Sequence, residues 1–84
     1  MENNKTNPGQ YILRFNSGAT YKGELIDGKI RHGFGVMEWA DGTRYSGEWR
    51  NDMFNGRGKL YHYFGDIYDG DWKDNKAHGK GKYT

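Results

Sequence analysis

A five-residue pattern, tyrosine-any-glycine-acid-apolar, occurs three times in this chain at almost equal spacing. The copies begin at Tyr21, Tyr45 and Tyr68, so the spacings are 24 and 23 residues. Four columns of glycine follow the same register and together hold 12 of the 14 glycines. A fixed period of this kind constrains the fold strongly, because each copy has to form the same small structural unit.

Each copy predicts two short strands. The first strand is YxGEW or a close variant, and a turn rich in Asp, Asn, Gly, Lys and His follows it. The second strand begins at paired glycines, in GFGVMEW and GRGKLYH, and a tight turn such as ADG closes the unit. The extra residue of the first spacing falls between Leu25 and Gly33, which predicts a loop there because loops absorb length changes.

The predicted fold class is all-β: an elongated, twisted, single-layer antiparallel meander of β-hairpin repeats of about 23 residues. Residues 1–10 are predicted to be a flexible N-terminal segment, and residues 11–84 the repeat array. Within the array we expect a partial unit over 11–20, full units over 21–44 and 45–67, and a truncated unit over 68–84.

Alternation along the strands separates a face of glycine and apolar residues from a charged face. Because neighbouring strands lie ~4.8 Å apart, an aromatic ring from one strand can lie flat over a glycine of the next. A side chain at that glycine would lift the ring off the sheet. The glycines predicted to be structural for this reason, or for a turn, are Gly23, Gly33, Gly35, Gly42, Gly47, Gly56, Gly58, Gly65, Gly70, Gly79 and Gly81.

Composition limits the classes of protein that fit. Hydrophobic residues make up 33% of the chain, but aromatic residues make up 17%, which is more than disordered chains carry. The net charge of +2 is too balanced to predict a nucleic-acid partner. The chain has no cysteine, no signal peptide and no long apolar run, which favours a soluble intracellular protein.

The segment YSGEWRNDMFNGRGKLYHYFGDIYDGDW resembles the MORN (membrane occupation and recognition nexus) repeat, and the resemblance extends from Tyr11 to Thr84. Two positions of the middle unit depart from the family pattern: Asn55, where histidine is usual, and Asp52, where glycine is usual. The positions that match its loop and paired glycines are Lys29, His32, Gly33, Gly35, Lys76, His78, Gly79 and Gly81. The resemblance implies a non-catalytic scaffold module, cytoplasmic and associated with the cytoskeleton or with membranes.

Residues that suggest chemistry have simpler structural interpretations. His32 and His78 share a column with Asn55, and the common property of the two residue types is tolerance of left-handed backbone rather than metal binding. We expect His62 to pack as a ring, in the column of Phe15 and Trp39. The acidic column of Glu24, Glu48 and Asp71 is expected to form cross-strand charge pairs. We therefore predict no catalytic residue, no metal and no cofactor.

The apolar face is the predicted binding site. In a single layer this face is expected to be open to solvent, and exposed apolar surfaces mark interaction sites. An amphipathic helix or an extended peptide of a protein partner fits it. The predicted contact residues are Tyr21, Leu25, Met37, Trp39, Tyr45, Trp49, Leu60, Tyr68 and Trp72.

Two alternatives remain open. The first is a peripheral membrane module that binds anionic phospholipids through its hairpin loops. Its candidate contacts are Lys29, Arg31, His32, Met53, Phe54, Lys76 and His78. The second is self-association of a longer cytoskeletal scaffold through the edge of the last strand, 82–84.

Overall fold

The computed structural model describes residues 3–7 and 10–84, with side chains from Gln10 onward. Eight strands follow one another in a single sheet in the order β1 to β8, and each pairs antiparallel with the next. The all-β meander is therefore confirmed. The strands are β1 Asn3–Asn7, β2 Gln10–Arg14, β3 Thr20–Ile26, β4 Ile30–Glu38, β5 Arg44–Arg50, β6 Met53–Tyr61, β7 Ile67–Lys73 and β8 Lys76–Tyr83.

The described ranges contain no helix long and apolar enough to cross a membrane. The molecule measures 34 × 24 × 19 Å along its principal axes. Residues 1–10, predicted to be flexible, include β1 and the first residue of β2. Residues 1, 2, 8 and 9 lie outside the described part, and the division into segment and array stays a prediction.

Turns at one end of the sheet join the two strands of each unit. Asn51 and Asp52 have φ of 51° and 67°, and Asp74 and Asn75 have φ of 50° and 69°. Positive φ at both central residues is the mark of the type I′ hairpin, in which Asn, Asp and Gly are favoured. The first such turn has three residues, 27–29, because β3 and β4 pair at Ile26 and Ile30. The extra residue therefore lies in a loop, as predicted.

Turns at the other end share one hydrogen-bond pattern. In the first, Phe15 N donates to Ala19 O over 2.9 Å and Gly18 N donates to Phe15 O over 3.0 Å. Trp39 and His62 make the same two bonds in the later turns. The glycine that closes each turn has φ between 96° and 108°, which glycine adopts at little cost.

A bulge interrupts each hairpin after its central pair of glycines. Gly23 pairs with Gly35, but Leu25 then pairs with Arg31, so β4 has two more residues than β3 over this stretch. The same shift separates Gly47 and Trp49 in the second hairpin, and Gly70 and Trp72 in the third. All three hairpins are therefore built to one plan.

Candidate functional site: the ring face

The floor of the apolar face is made of backbone, and tyrosine rings lie directly on it. A Cβ added at Gly35 would overlap the Tyr21 hydroxyl and ring, and Tyr45 stands in the same relation to Gly58. Tyr68 lies on Gly81 in the same way. The prediction that rings lie over glycines is confirmed. We call this surface, with its Tyr and Trp rings, the ring face.

Hydrogen bonds fix the rings in place. The Tyr21 hydroxyl donates to Glu24 O over 2.7 Å, and the Tyr45 hydroxyl donates to Glu48 O over 2.9 Å. Burial raises the pKa of both phenols, with nearby carboxylates adding to the effect. At Tyr21 the positive charge of Arg31 acts in the opposite direction.

Indole rings join one unit to the next. Trp49 Nε1 donates to Gly35 O over 3.0 Å, and Trp72 Nε1 donates to Gly58 O over the same distance. Trp72 meets the Tyr45 ring edge-on at 5.7 Å between centroids, a favourable geometry for aromatic pairs. Gly35 and Gly58 thus each carry a tyrosine from their own unit and a tryptophan from the following one.

A third column of residues covers the rings from above. Phe54 stacks on Tyr45 with centroids 3.9 Å apart and planes 5° from parallel, and its edge meets Trp49 and Trp72. At the equivalent position of the first unit, the Arg31 guanidinium lies 5.1 Å from the Trp49 ring centroid. The sheet is one layer thick, but these side chains form a second layer on it.

The following hairpin positions these covering residues. Asp52 Oδ1 accepts hydrogen bonds from Arg31 N at 2.8 Å and from Arg31 Nε at 3.0 Å. Asn75 Oδ1 accepts from Phe54 N at 2.8 Å, which is the same contact one repeat later. Asp52 departs from the family pattern, and this departure provides the carboxylate that holds Arg31.

Alanine occupies the covering position of the last unit. Ala77 pairs with Trp72, and one repeat earlier Phe54 pairs with Trp49. Its methyl group is too short to reach over the ring of Tyr68. Tyr21 and Tyr45 are both 0% exposed, whereas Tyr68, which also lies beside no tryptophan of a following described strand, is only half-buried.

The expectation of an open apolar face is wrong for most of its predicted residues, because the rings and the covering column bury one another. Five of the nine predicted contact residues are buried in the core: Tyr21, Met37, Tyr45, Trp49 and Trp72. Four are half-buried beside it: Leu25, Trp39, Leu60 and Tyr68. Partner binding by this face stays a prediction, and only the second group offers side chains to a partner.

The candidate lipid-contact residues differ in their exposure to solvent and in their contacts. Arg31 and Phe54 belong to the covering column, and sequence reasoning missed that role although both lie in repeat register with Ala77. His32 and Met53 are half-buried. Lys29, Lys76 and His78 are exposed. Lipid contact by these loops stays a prediction.

The histidine column does not lie in left-handed backbone, so that explanation was wrong. His32, Asn55 and His78 all lie within strands, and the positive φ of this region belongs to the adjacent glycines, such as Gly33 at 76°. His62 stacks on Phe64 of its own turn at 4.8 Å between centroids. In the described ranges, no group of three His, Cys, Asp or Glu is placed to hold a metal ion.

Two members of the acidic column have a function that the sequence did not predict. Glu24 Oε2 accepts from Phe34 N at 2.8 Å, and Glu48 Oε2 accepts from Arg57 N at 2.7 Å. These carboxylates cap the bulges, and the adjacent Gly33 and Gly56 leave room for them. Asp71 instead forms the predicted cross-strand charge pair, 3.3 Å from Arg57 Nη1.

The family model of the MORN repeat matches residues 21–44, 45–63 and 68–84. The chain belongs to the MORN repeat family. MORN repeats are in general non-catalytic modules that mediate interactions with proteins or membranes. The chain is also 49% identical over 41 residues to Alsin of Mus musculus and of Homo sapiens. That match covers 49% of the chain and 2% of each Alsin, so the chain spans a very small part of those relatives.

Proposed function

We propose that this MORN module is a non-catalytic adaptor that binds an amphipathic helix or extended peptide of another protein at the last unit of its ring face. The observation that carries the proposal is the half-exposed ring of Tyr68. Tyr21 and Tyr45 lie in the same repeat position and are fully covered. Two features accompany this difference. Ala77 stands at the repeat position from which Phe54 covers Tyr45, and no described strand brings a tryptophan of a following unit to Tyr68 as Trp49 and Trp72 come to Tyr21 and Tyr45.

The earlier units indicate which partner side chain fits this position. A phenyl ring stacks on Tyr45, and a guanidinium lies over Trp49. An aromatic residue of the partner would take the position on Tyr68 that Phe54 takes on Tyr45, since flat groups stack well on aromatic rings. Arginine is the second choice, because Arg31 occupies the repeat position of Phe54 and its guanidinium lies over Trp49 and Phe15. Leu60, half-buried and paired with Tyr68, adds apolar surface for the rest of the partner's segment.

Affinity capture with four versions of the chain tests the proposal. Leu60→Glu places a charge in the contact surface, and Ala77→Phe fills the open position with the module's own ring. Both should lose proteins that the wild type captures while circular dichroism shows an intact sheet. Phe34→Glu is the matched control, because Phe34 is 60% exposed on the opposite face and should not matter.

Retention of the captured proteins by both Leu60→Glu and Ala77→Phe would refute binding at this position. Loss with Phe34→Glu alone would move the contact to the opposite face. Co-sedimentation with vesicles containing anionic phospholipid tests the lipid alternative, for which Lys29→Glu and Lys76→Glu should weaken binding and added salt should weaken it further.

A further inference from the structure

The turn between β6 and β7 carries two exposed aromatic rings at its tip. Tyr63 is 65% exposed and Phe64 is 58% exposed. The three turns at this end of the sheet span 15–19, 39–43 and 62–66, and the first two have Asn-Ser and Ala-Asp at the tip, all exposed. Exposure therefore belongs to the tip position in every one of these turns, and the large aromatic residues are particular to the third.

The two rings stand nearly at right angles and form a corner. Their centroids are 5.2 Å apart and their planes differ by 77°. The His62 ring stacks on Phe64 with planes 8° from parallel, which supports Phe64 from one side. Tyr63 lies beside the neighbouring turn, since a Cβ added at Gly42 would lie 3.9 Å from Tyr63 Cβ. The faces of aromatic rings are electronegative, so a corner of this kind attracts a cation.

The surroundings of the corner are acidic. The three turns contain two acidic residues, Asp41 and Asp66, and no lysine or arginine, although the chain as a whole has a net charge of +2. Hydrogen bonds from Thr43 hold the pKa of Asp41 below its usual range, and His62 adds a smaller effect, so this carboxylate is ionised at neutral pH. The influence of His62 also places Asp41 close to the ring that supports Phe64.

The chain itself shows which group fits a ring that has a carboxylate beside it. The Arg31 guanidinium lies 5.1 Å from the Trp49 ring centroid, and its Nε donates to Asp52 Oδ1 over 3.0 Å. A guanidinium suits such a site because it stacks flat on a ring while its N–H groups reach a carboxylate. By contrast, no cation among residues 10–84 lies over Tyr63 or Phe64.

We propose that the corner of Tyr63 and Phe64 binds an arginine side chain of another protein. The guanidinium lies on a ring of the corner and pairs with Asp41 or Asp66, in the manner of Arg31 within the chain. The acidic surroundings favour a basic partner and disfavour the phosphate groups of anionic lipids. Both rings lie at a turn tip, so the partner reaches them without any movement of the sheet.

The blocked peptide Gly-Arg-Gly-Arg-Gly is the probe, titrated at pH 7.5 into the isotopically labelled 84-residue chain. It should shift the amide resonances of residues 41–43 and 62–66 and the ring resonances of Tyr63 and Phe64. The matched peptide with citrulline in place of each arginine has nearly the same shape without the charge. It should bind at least ~5-fold more weakly, because it forms neither the ion pair nor the cation–π contact.

Three variants locate the binding groups. Tyr63→Asn, Phe64→Ser gives the third turn the tip sequence of the first and should abolish the shifts. Asp41→Asn, Asp66→Asn keeps a hydrogen-bond acceptor at each position and should weaken binding about 3-fold through the lost charges. Asp27→Asn removes a charge from a turn at the opposite end of the sheet, where asparagine tolerates the positive φ, and should bind the peptide as the wild type does.

The corner is separate from the covering position over Tyr68, and Ala77→Phe distinguishes the two sites. This variant fills the covering position, leaves the turn unchanged and should bind the arginine peptide as the wild type does. Loss of peptide binding by Ala77→Phe, or shifts confined to Leu60 and Tyr68, would place the arginine on the ring face. Either result overturns the inference and leaves the adaptor proposal standing.

Other outcomes also overturn the inference. One is equal binding of the citrulline and arginine peptides, and another is retention of binding by the variant with the Asn-Ser tip. Sedimentation supplies the last test: the inference fails if the wild-type tip joins two copies of the chain, or binds phosphatidylcholine vesicles, and the Asn-Ser tip does not.

Discussion

At the scale of single residues, the core of this module depends on glycine as much as on apolar side chains, because the buried tyrosine rings lie on glycine backbone. Among residues 10–84 the core contains seven buried hydrophobic residues, of which four are Tyr or Trp. Aromatic side chains bury large areas, and glycine lets them lie on the backbone itself. The polar atoms of these rings are satisfied by carbonyls of the same sheet, so the rings are held in fixed positions.

Substitution of a glycine that lies under a tyrosine ring measures how much the contact between ring and backbone contributes to stability. Gly35→Ala should lower the free energy of unfolding by about 3 kcal/mol, because the new methyl group overlaps the fully buried Tyr21 ring. Gly81→Ala creates the same overlap with Tyr68, whose half-exposed ring has room to move. It should cost about 1 kcal/mol. Urea denaturation of both variants gives the comparison, and equal losses would contradict it.

The buried phenols predict a loss of stability in alkali. Burial raises the pKa of Tyr21 and Tyr45 above the unfolded value of about 10. Their contribution is therefore complete below pH 10 and falls as the pH rises toward the folded pKa. The slope is at most about 1.4 kcal/mol per pH unit for each tyrosine.

Denaturation between pH 9 and 11.5 should show this decline in the wild type. It should be shallower in the double variant Tyr21→Phe, Tyr45→Phe, although that variant starts from a lower stability because it lacks two hydrogen bonds. Tyr63→Phe, at a turn where the ring is 65% exposed, is the control and should follow the wild type. An unchanged slope in the double variant would show that other groups cause the decline.

At the scale of strands and turns, the sequence predicts the hairpins well because their signals are local. Asp-Gly and Asn-Asp pairs mark the turns, and glycine spacing marks the register. The bulges were not predicted, because a glutamate that caps a backbone amide ten residues away looks like any other surface acid. The sequence did contain a signal for the bulges in the glycines at positions 33 and 56. Glycine is needed at each because the backbone has positive φ there and the glutamate carboxylate lies where a Cβ would be.

Removal of a bulge cap should destabilise one hairpin. Glu48→Ala deletes the acceptor of the Arg57 amide and should cost about 1 kcal/mol, since the contact is exposed. Glu48→Gln retains an acceptor and should recover most of the loss. Glu38→Ala, at an exposed strand end, is the control. The hydrogen-exchange rate of the Arg57 amide should rise in Glu48→Ala and stay low in Glu48→Gln; equal rates in all three variants would argue against the cap.

At the scale of the whole molecule, the position of the core could not be predicted from face alternation alone. Alternation assigns residues to a face, but it does not say whether that face is covered. The cover comes from Arg31 and Phe54, whose side chains turn back over rings on other strands. Arg31 and Phe54 act through contacts with rings of the following unit. The sequence pattern of a single unit does not predict such contacts.

This arrangement predicts a gradient of stability along the sheet. In a repeat protein each unit is stabilised mainly by its neighbours, so a poorly covered terminal unit opens locally. Amides of β8, where every residue is exposed, should exchange much faster than those of β4 and β5, because β5 carries the buried Tyr45 and β4 lies between β5 and β3, which carries the buried Tyr21. Ala77→Phe should slow exchange in β7 and β8 and stabilise the chain by about 1–2 kcal/mol, because a buried phenyl ring is added over Tyr68.

Ala77→Ser is the control, because it supplies no ring and should leave the gradient of exchange rates unchanged. Uniform protection in the wild type, or an Ala77→Phe variant with the exchange rates of Ala77→Ser, would mean that the missing cover does not set the stability of the last unit.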